Sequence, residues 1–259
     1  MQKGQGALEY LLLIGGAVLV AVIVISTMLS IADEGGANTQ ATSTAASNLL
    51  TQKRAEVLGT APVTGGIVAF ANFNEGSGTT VSLGDAGSGT INGATWVTPG
   101  RNGKGSALSF NGTNNISANP GNLPTGPVAT VSAWIKPTSF AGNGNYTGIV
   151  SWGSRACTGT SFLMSVKITS IPTFASWCND FTNGTGTTIP LNVWTHYALV
   201  LNGTTVTAYL NGVQTQSGTL SGDVVPNITS QNLRIGSTDL TGRYFSGEID
   251  DVAIYDRTL

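Results

Sequence analysis

Hydrophobic and polar positions divide this chain into two regimes. Across residues 7–31 the run is apolar on every side of a helix, with Glu9 its single charge. At 1.5 Å per residue such a helix spans about 37 Å, enough to cross a bilayer. Lys3 before the run and Asp33-Glu34 after it predict a cytoplasmic N-terminus and an external remainder. A broken apolar stripe of Ala45, Leu49, Leu50, Val57 and Leu58 makes residues 38–58 helix-compatible. The Gly- and Pro-containing residues 59–66 read as a linker.

From residue 67 onward the period changes to two. The runs IVAFANF, ATWV, ALSF, VATVSAWIK, GIVSW, FLMSVKI, WTHYALVLN, TTVTAYLNG, NLRIG and GEIDDVAIYD are rich in β-branched and aromatic residues. The clearest hairpin is TVTAYLNGVQTQSG, with Asn211-Gly212 at its tip, two residues that tolerate positive φ. Many short strands with no helical pattern between them predict a mainly β, antiparallel sandwich behind a long N-terminal hydrophobic α-helix.

Composition narrows the function classes. Only 9% of residues are charged and the net charge is −2, which gives neither a basic nucleic-acid surface nor an acidic tail. The 35 glycines are spread among apolar β-formers, so they signal tight turns and not disorder. Glu9 is the residue that a plain membrane anchor leaves unexplained. A carboxylate at the edge of hydrocarbon costs a few kcal/mol unless it is paired, so it marks function.

KGQGALEY followed by an apolar run resembles the class III signal peptide of archaeal type IV pilin-like proteins. The resemblance implies that a prepilin peptidase cuts between Gly4 and Gln5 and removes residues 1–4. Residues 5–58 would then be the pilin helix, a membrane span before assembly and filament core afterwards. Glu9 falls at the fifth mature position, where such pilins keep a glutamate. Its expected partner is the α-amine of a neighbour's Gln5, which has a pKa of about 8 when free. If Gln5 cyclises, Glu9 needs another donor, and both alternatives stand. The implied partners are identical subunits or other pilins. In mid-span, Gly15-Gly16 suits close helix packing or is a tolerated weak point.

The order of motifs IVAFANFNEGSGTTVSLGDAGSGTINGATWV, GKGSALSFNGTNN, VSAWIKP, WTHYALVLNGTTVTAYLNGV, LRIGS and GEIDDVAIYDRTL is similar to a laminin-G-like, concanavalin A-type jelly roll. It covers residues 67–259, the expected head domain. By fold analogy such a head serves adhesion or binding of extracellular glycans. Glycosidases on this fold use paired carboxylates. Glu248 and Asp250 share a strand face, but Ala253 stands where a second Glu belongs, so no enzyme is expected. The lone histidine, His196, lacks a Ser or Cys signature and reads as a structural strand residue.

Relatives of this fold hold Ca²⁺ in the loop after the SF strand and in the IDD strand. The corresponding residues here are Asn111, Asn115, Asp250 and Asp251, with Glu75 as a further acid. Neutral amides among them imply at most a weak structural site, and no cofactor is required. Cys157 and Cys178 are the sole cysteines of the external region, so a disulfide is expected. Sequons start at Asn111, Asn115, Asn145, Asn183, Asn202 and Asn227, which makes these the candidate N-glycosylation sites. Trp152, Trp177 and Tyr244 suit core and ligand platform equally. The resulting expectation is a cell-surface filament subunit with a jelly-roll head. A surface lectin on an uncleaved, non-polymerising anchor is the alternative, and a glycan-degrading enzyme the weaker one.

Overall fold

The computed structural model describes residues 66–141, 145–157, 159–181, 186–222, 224–238 and 243–259. The expected helix over residues 5–58, the Gly4–Gln5 cleavage site, Glu9 and Asn183 lie outside the described residues. The chain divides into two units, Met1–Val63 and Thr64–Leu259, and the described residues belong to the second. Among them no helix is long and apolar enough to cross a membrane.

Among the described residues fifteen strands build the second unit. In chain order they are β1 (Ile67–Ala71), β2 (Thr80–Ser82), β3 (Ser88–Asn92), β4 (Thr95–Val97), β5 (Ala107–Asn111), β6 (Asn115–Ala118), β7 (Val128–Ser139) and β8 (Tyr146–Gly153). They continue as β9 (Ser161–Lys167), β10 (Pro172–Ala175), β11 (Thr195–Asn202), β12 (Thr205–Leu210), β13 (Val213–Thr219), β14 (Leu233–Ile235) and β15 (Ser246–Tyr255). One sheet has the order β13-β12-β11-β7-β15-β5-β4, with β1 also paired to β15. The other has the order β10-β9-β8-β14-β6-β3-β2. All the strand pairings are antiparallel, as expected of the jelly roll.

The alternation along β7 shows why these residues make a sandwich. Ala129, Val131, Ala133 and Ile135 are buried, whereas Ser132, Trp134 and Lys136 are only half-buried and face out. The neighbouring β11 repeats the pattern with Tyr197, Leu199 and Leu201 inward. In β8 and β9 both faces are buried apart from the strand ends, so these strands read as continuous runs and not as alternation. Their core face carries Trp152 stacked on Phe162 at 4.2 Å, with Phe174 edge-on to Phe162 at 4.9 Å. Such aromatic pairs add about 0.5–1.5 kcal/mol each beyond their buried area. Tyr197 spans the two sheets: its hydroxyl accepts the Thr173 N–H and lies 3.1 Å from the Ser165 and Thr173 carbonyls.

A bulge in β15 prepares the site. Asp250 faces Trp134 and Ala253 faces Ser132, so β15 has one residue more than β7 across that interval. Asp251 takes up the extra length at φ 48. Such bulges re-aim a side chain, here the Asp251 carboxylate.

Candidate binding face of the eight-stranded sheet

Strand registers place a polar and aromatic row across the outer face of the eight-stranded sheet. Asp250 of β15 is opposite Trp134 of β7, and Trp134 is opposite His196 of β11. Two residues along, Tyr209 of β12 faces Gln214 of β13. Five strands at the usual spacing make this row about 19 Å long, the length of a short oligosaccharide. Small side chains border it, including Ser132 and Ala198.

Charged groups lock one end of the row. The Arg101 guanidinium lies over the Trp134 ring at 4.3 Å, and the His196 ring packs against Trp134 at 5.2 Å. Arg101 donates to Asp251 through Nε at 3.2 Å and forms an ion pair with the same carboxylate through a terminal nitrogen. Its backbone N–H donates to Asp250 Oδ2 at 3.1 Å, while the Asp251 N–H donates to Asp250 Oδ1 at 2.9 Å. Beside them Lys136 pairs with Glu248 at 3.2 Å, 6.0 Å from the Trp194 ring centre. Gly247 allows this approach, since a Cβ there would collide with the Lys136 carbonyl oxygen.

Asp250 is only 6% exposed, and that burial raises its pKa to about 6. The two N–H donors favour the charged form, but desolvation outweighs them. His196 shifts down, first through burial and then through Arg101. The signs therefore oppose. Folded Asp250 keeps a proton that the unfolded chain releases near pH 4, so its contribution to stability is lost as pH rises to about 6. His196 instead costs stability as pH falls below its ordinary range. We expect the difference in unfolding free energy between wild type and Asp250→Asn to change by about 2 kcal/mol between pH 4 and pH 7, in the direction that favours the variant at pH 7. Urea unfolding followed by tryptophan fluorescence reads the head alone, because all five tryptophans lie in it. A difference that does not vary with pH would remove the buried proton from Asp250.

The expected metal ligands are engaged within the protein. Asn111 pairs with Ser246, four residues along β15 from Asp250, or about 13 Å. Asn111 Oδ1 accepts from Thr113, and Asn115 Oδ1 accepts from Asn92. Asp250 and Asp251 are engaged as above, and Glu75 Oε1 accepts the Ser82 N–H at 2.7 Å. Among the described residues no group of three or more His, Cys, Asp or Glu side chains could hold a metal ion. Glu248 and Asp250 do share the outer face, while Ala253 is 4% exposed.

The other sequence expectations separate. Trp152 belongs to the core, where its Nε1 donates to the Pro124 carbonyl at 3.0 Å. Trp177 and Tyr244 are half-buried. Cys157 and Cys178 form the expected disulfide, with Cα atoms 5.0 Å apart. Asn111, Asn145, Asn202 and Asn227 are exposed, whereas Asn115 is buried between β3 and β14. Arg101, Trp134, Lys136, Trp194 and Tyr209 were not among the expected site residues. Alternation marks Trp134 and Lys136 as outward-facing, but nothing in the sequence links Arg101 to strand β15.

Two family models match the chain. The class III signal peptide matches residues 2–28, and the concanavalin A-like lectin/glucanases superfamily matches residues 110–259. No curated protein matches it. Among solved structures, domain 4 of AbnA, a GH43 extracellular arabinanase from Geobacillus stearothermophilus in complex with arabinotriose, is 22% identical with a TM-score of 0.58. That match covers 74% of this chain and 93% of that domain. The Trypanosoma rangeli sialidase in complex with sialic acid is 14% identical with a TM-score of 0.51, over 77% of this chain and 32% of the sialidase. The botulinum neurotoxin serotype D binding domain is 14% identical with a TM-score of 0.50, over 74% of this chain and 49% of that one. This chain thus spans half or less of the last two, and at such identities the likeness is one of fold. With the two-sheet sandwich and a family model over more than half its length, the chain belongs to the concanavalin A-like lectin/glucanases superfamily.

Proposed function

We propose that this chain is a structural subunit of an archaeal type IV pilus-like surface filament, with a head that binds glycans. The observation that carries the reading is a class III signal peptide at residues 2–28 on the same chain as a lectin-like sandwich. A prepilin peptidase would cut before Gln5, leaving the apolar helix to pack with those of identical subunits or other pilins. Before assembly that helix would hold the subunit in the membrane with its N-terminus in the cytoplasm. The head would act outside the cell, where the Cys157–Cys178 bridge and glycans on exposed sequons are chemically at home.

The head in this reading is a non-catalytic binder. The Trp134, His196, Tyr209 and Gln214 row offers ring faces and hydrogen-bonding groups suited to a neutral oligosaccharide. Arabinotriose in the arabinanase domain is a precedent on this fold. The non-catalytic reading is supported by the engagement of both strand carboxylates within the protein, Glu248 with Lys136 and Asp250 with two backbone N–H groups.

The test is the intact mass of the subunit from shed surface filaments. It should begin at Gln5, with or without loss of ammonia from a cyclised glutamine. Filaments built from subunits that retain Met1 to Gly4 would overturn the reading. A membrane-bound subunit that retains Met1 to Gly4 and is absent from filaments would favour the uncleaved, anchored lectin.

A further inference from the structure

A second cluster lies on the opposite face of the sandwich. In the seven-stranded sheet, Tyr146 faces Lys167 on the outer side of β8 and β9. The Arg243 guanidinium lies over the Tyr146 ring at 5.0 Å and over the Trp177 ring at 5.4 Å. The Arg155 guanidinium lies over Trp177 at 4.4 Å. Aromatic and cationic groups thus alternate along one line: Tyr146, Arg243, Trp177, Arg155.

Three observations make this more than a chance surface contact. Trp177 and Cys178 are consecutive left-handed residues, at φ 42 and φ 60. Each costs of order 1–3 kcal/mol, and such strain persists where the surroundings over-determine it, commonly at ligand sites. The disulfide joins Cys178, next to Trp177, to Cys157, two residues from Arg155, and so fixes the indole beside its guanidinium. Finally, Arg155 is exposed. A guanidinium seated over a ring keeps N–H donors for a planar anion. Asp180 is an acid that faces this line. Burial raises its pKa while Arg243 and Lys167 draw it down, and its Oδ1 already accepts the Ser176 N–H at 3.2 Å.

We infer that the Tyr146–Arg243–Trp177–Arg155 line is a second binding site, for a glycan that carries carboxylate groups. Arg155 supplies the bidentate contact to a carboxylate, and Arg243 and Lys167 supply positive potential alongside. Trp177 holds the Arg155 guanidinium in place over its ring. The inference is independent of the filament and neutral-glycan readings, because it uses the other sheet and a different ligand charge.

The experiment titrates the full-length protein in detergent with oligogalacturonate, arabinotriose and a single-stranded DNA oligomer, each followed by tryptophan fluorescence. Oligogalacturonate should bind, and added salt should weaken it. Arg155→Lys keeps the charge but loses the planar fork, and should weaken that binding about tenfold while near-ultraviolet circular dichroism is unchanged. Lys104→Gln, at an exposed turn, should leave it unaltered. No binding of oligogalacturonate, equal affinity in Arg155→Lys, or tighter binding of the DNA would each overturn the inference. Failure of arabinotriose alone would count against the neutral-glycan row and not against this site.

Discussion

Cells producing Glu9→Ala subunits should insert and process the protein normally, fold the head, and display few or no filaments. Glu9 is the single charge across residues 7–31. In an anchor that never assembles, its removal takes a costly carboxylate out of the edge of the hydrocarbon, so insertion should be unchanged or slightly better. In a filament the same change leaves a neighbour's Gln5 amine without its counter-charge in an apolar core. Breaking a buried ion pair by removing one partner costs about 3–5 kcal/mol, and a helical filament repeats that loss at every subunit. The two readings therefore diverge in sign, not only in size. Electron microscopy of the cells, beside a blot for processed subunit, decides between them. Abundant normal filaments built from Glu9→Ala subunits would remove the assembly role of this residue.

The strands that were legible in the sequence are those whose chemistry is local. β7, β11 and β12 alternate, and Asn211-Gly212 marks the turn between β12 and β13. The strands β2, β3, β6 and β10, with sequences TVS, SGTIN, NISA and PTFA, were not. They have three to five residues, mostly polar or small, and owe their conformation to partners distant in sequence. β6, for example, exists because β3 and β14 flank it. Here tertiary pairing overrides a weak intrinsic preference.

The sites divide along the same line. The disulfide was legible because the external region has two cysteines and no other thiol. The Arg101–Asp251 pair was not, since it joins residues 150 apart and depends on the β15 bulge. The calcium expectation rested on residue type alone. Asn111, Asn115, Asp250 and Asp251 are all oxygen donors by type, but a sequence does not reveal that Thr113, Asn92, Arg101 and the Asp251 N–H already occupy them.

Removing the disulfide should produce the largest change within the head. In Cys157→Ser/Cys178→Ser the chain loses a link across 21 residues of sequence, worth about 3 kcal/mol by loop-closure entropy. The sheets should survive, because β9 and β10 pair through their own backbone within that loop and their aromatic core faces stay buried. The effect should concentrate at residues 176–178, where the bridge is the covalent tie beside the left-handed Trp177 and Cys178. Relaxation there moves the indole away from Arg155, and carboxylated-glycan binding should fall at least as far as in Arg155→Lys. Urea unfolding followed by tryptophan fluorescence measures the first effect, and oligogalacturonate titration of the folded double variant measures the second. A loss of stability below about 1 kcal/mol would show that the loop closure is not what the bridge contributes. Unchanged oligogalacturonate affinity in the double variant would show that Trp177 and Arg155 are held together without the bridge.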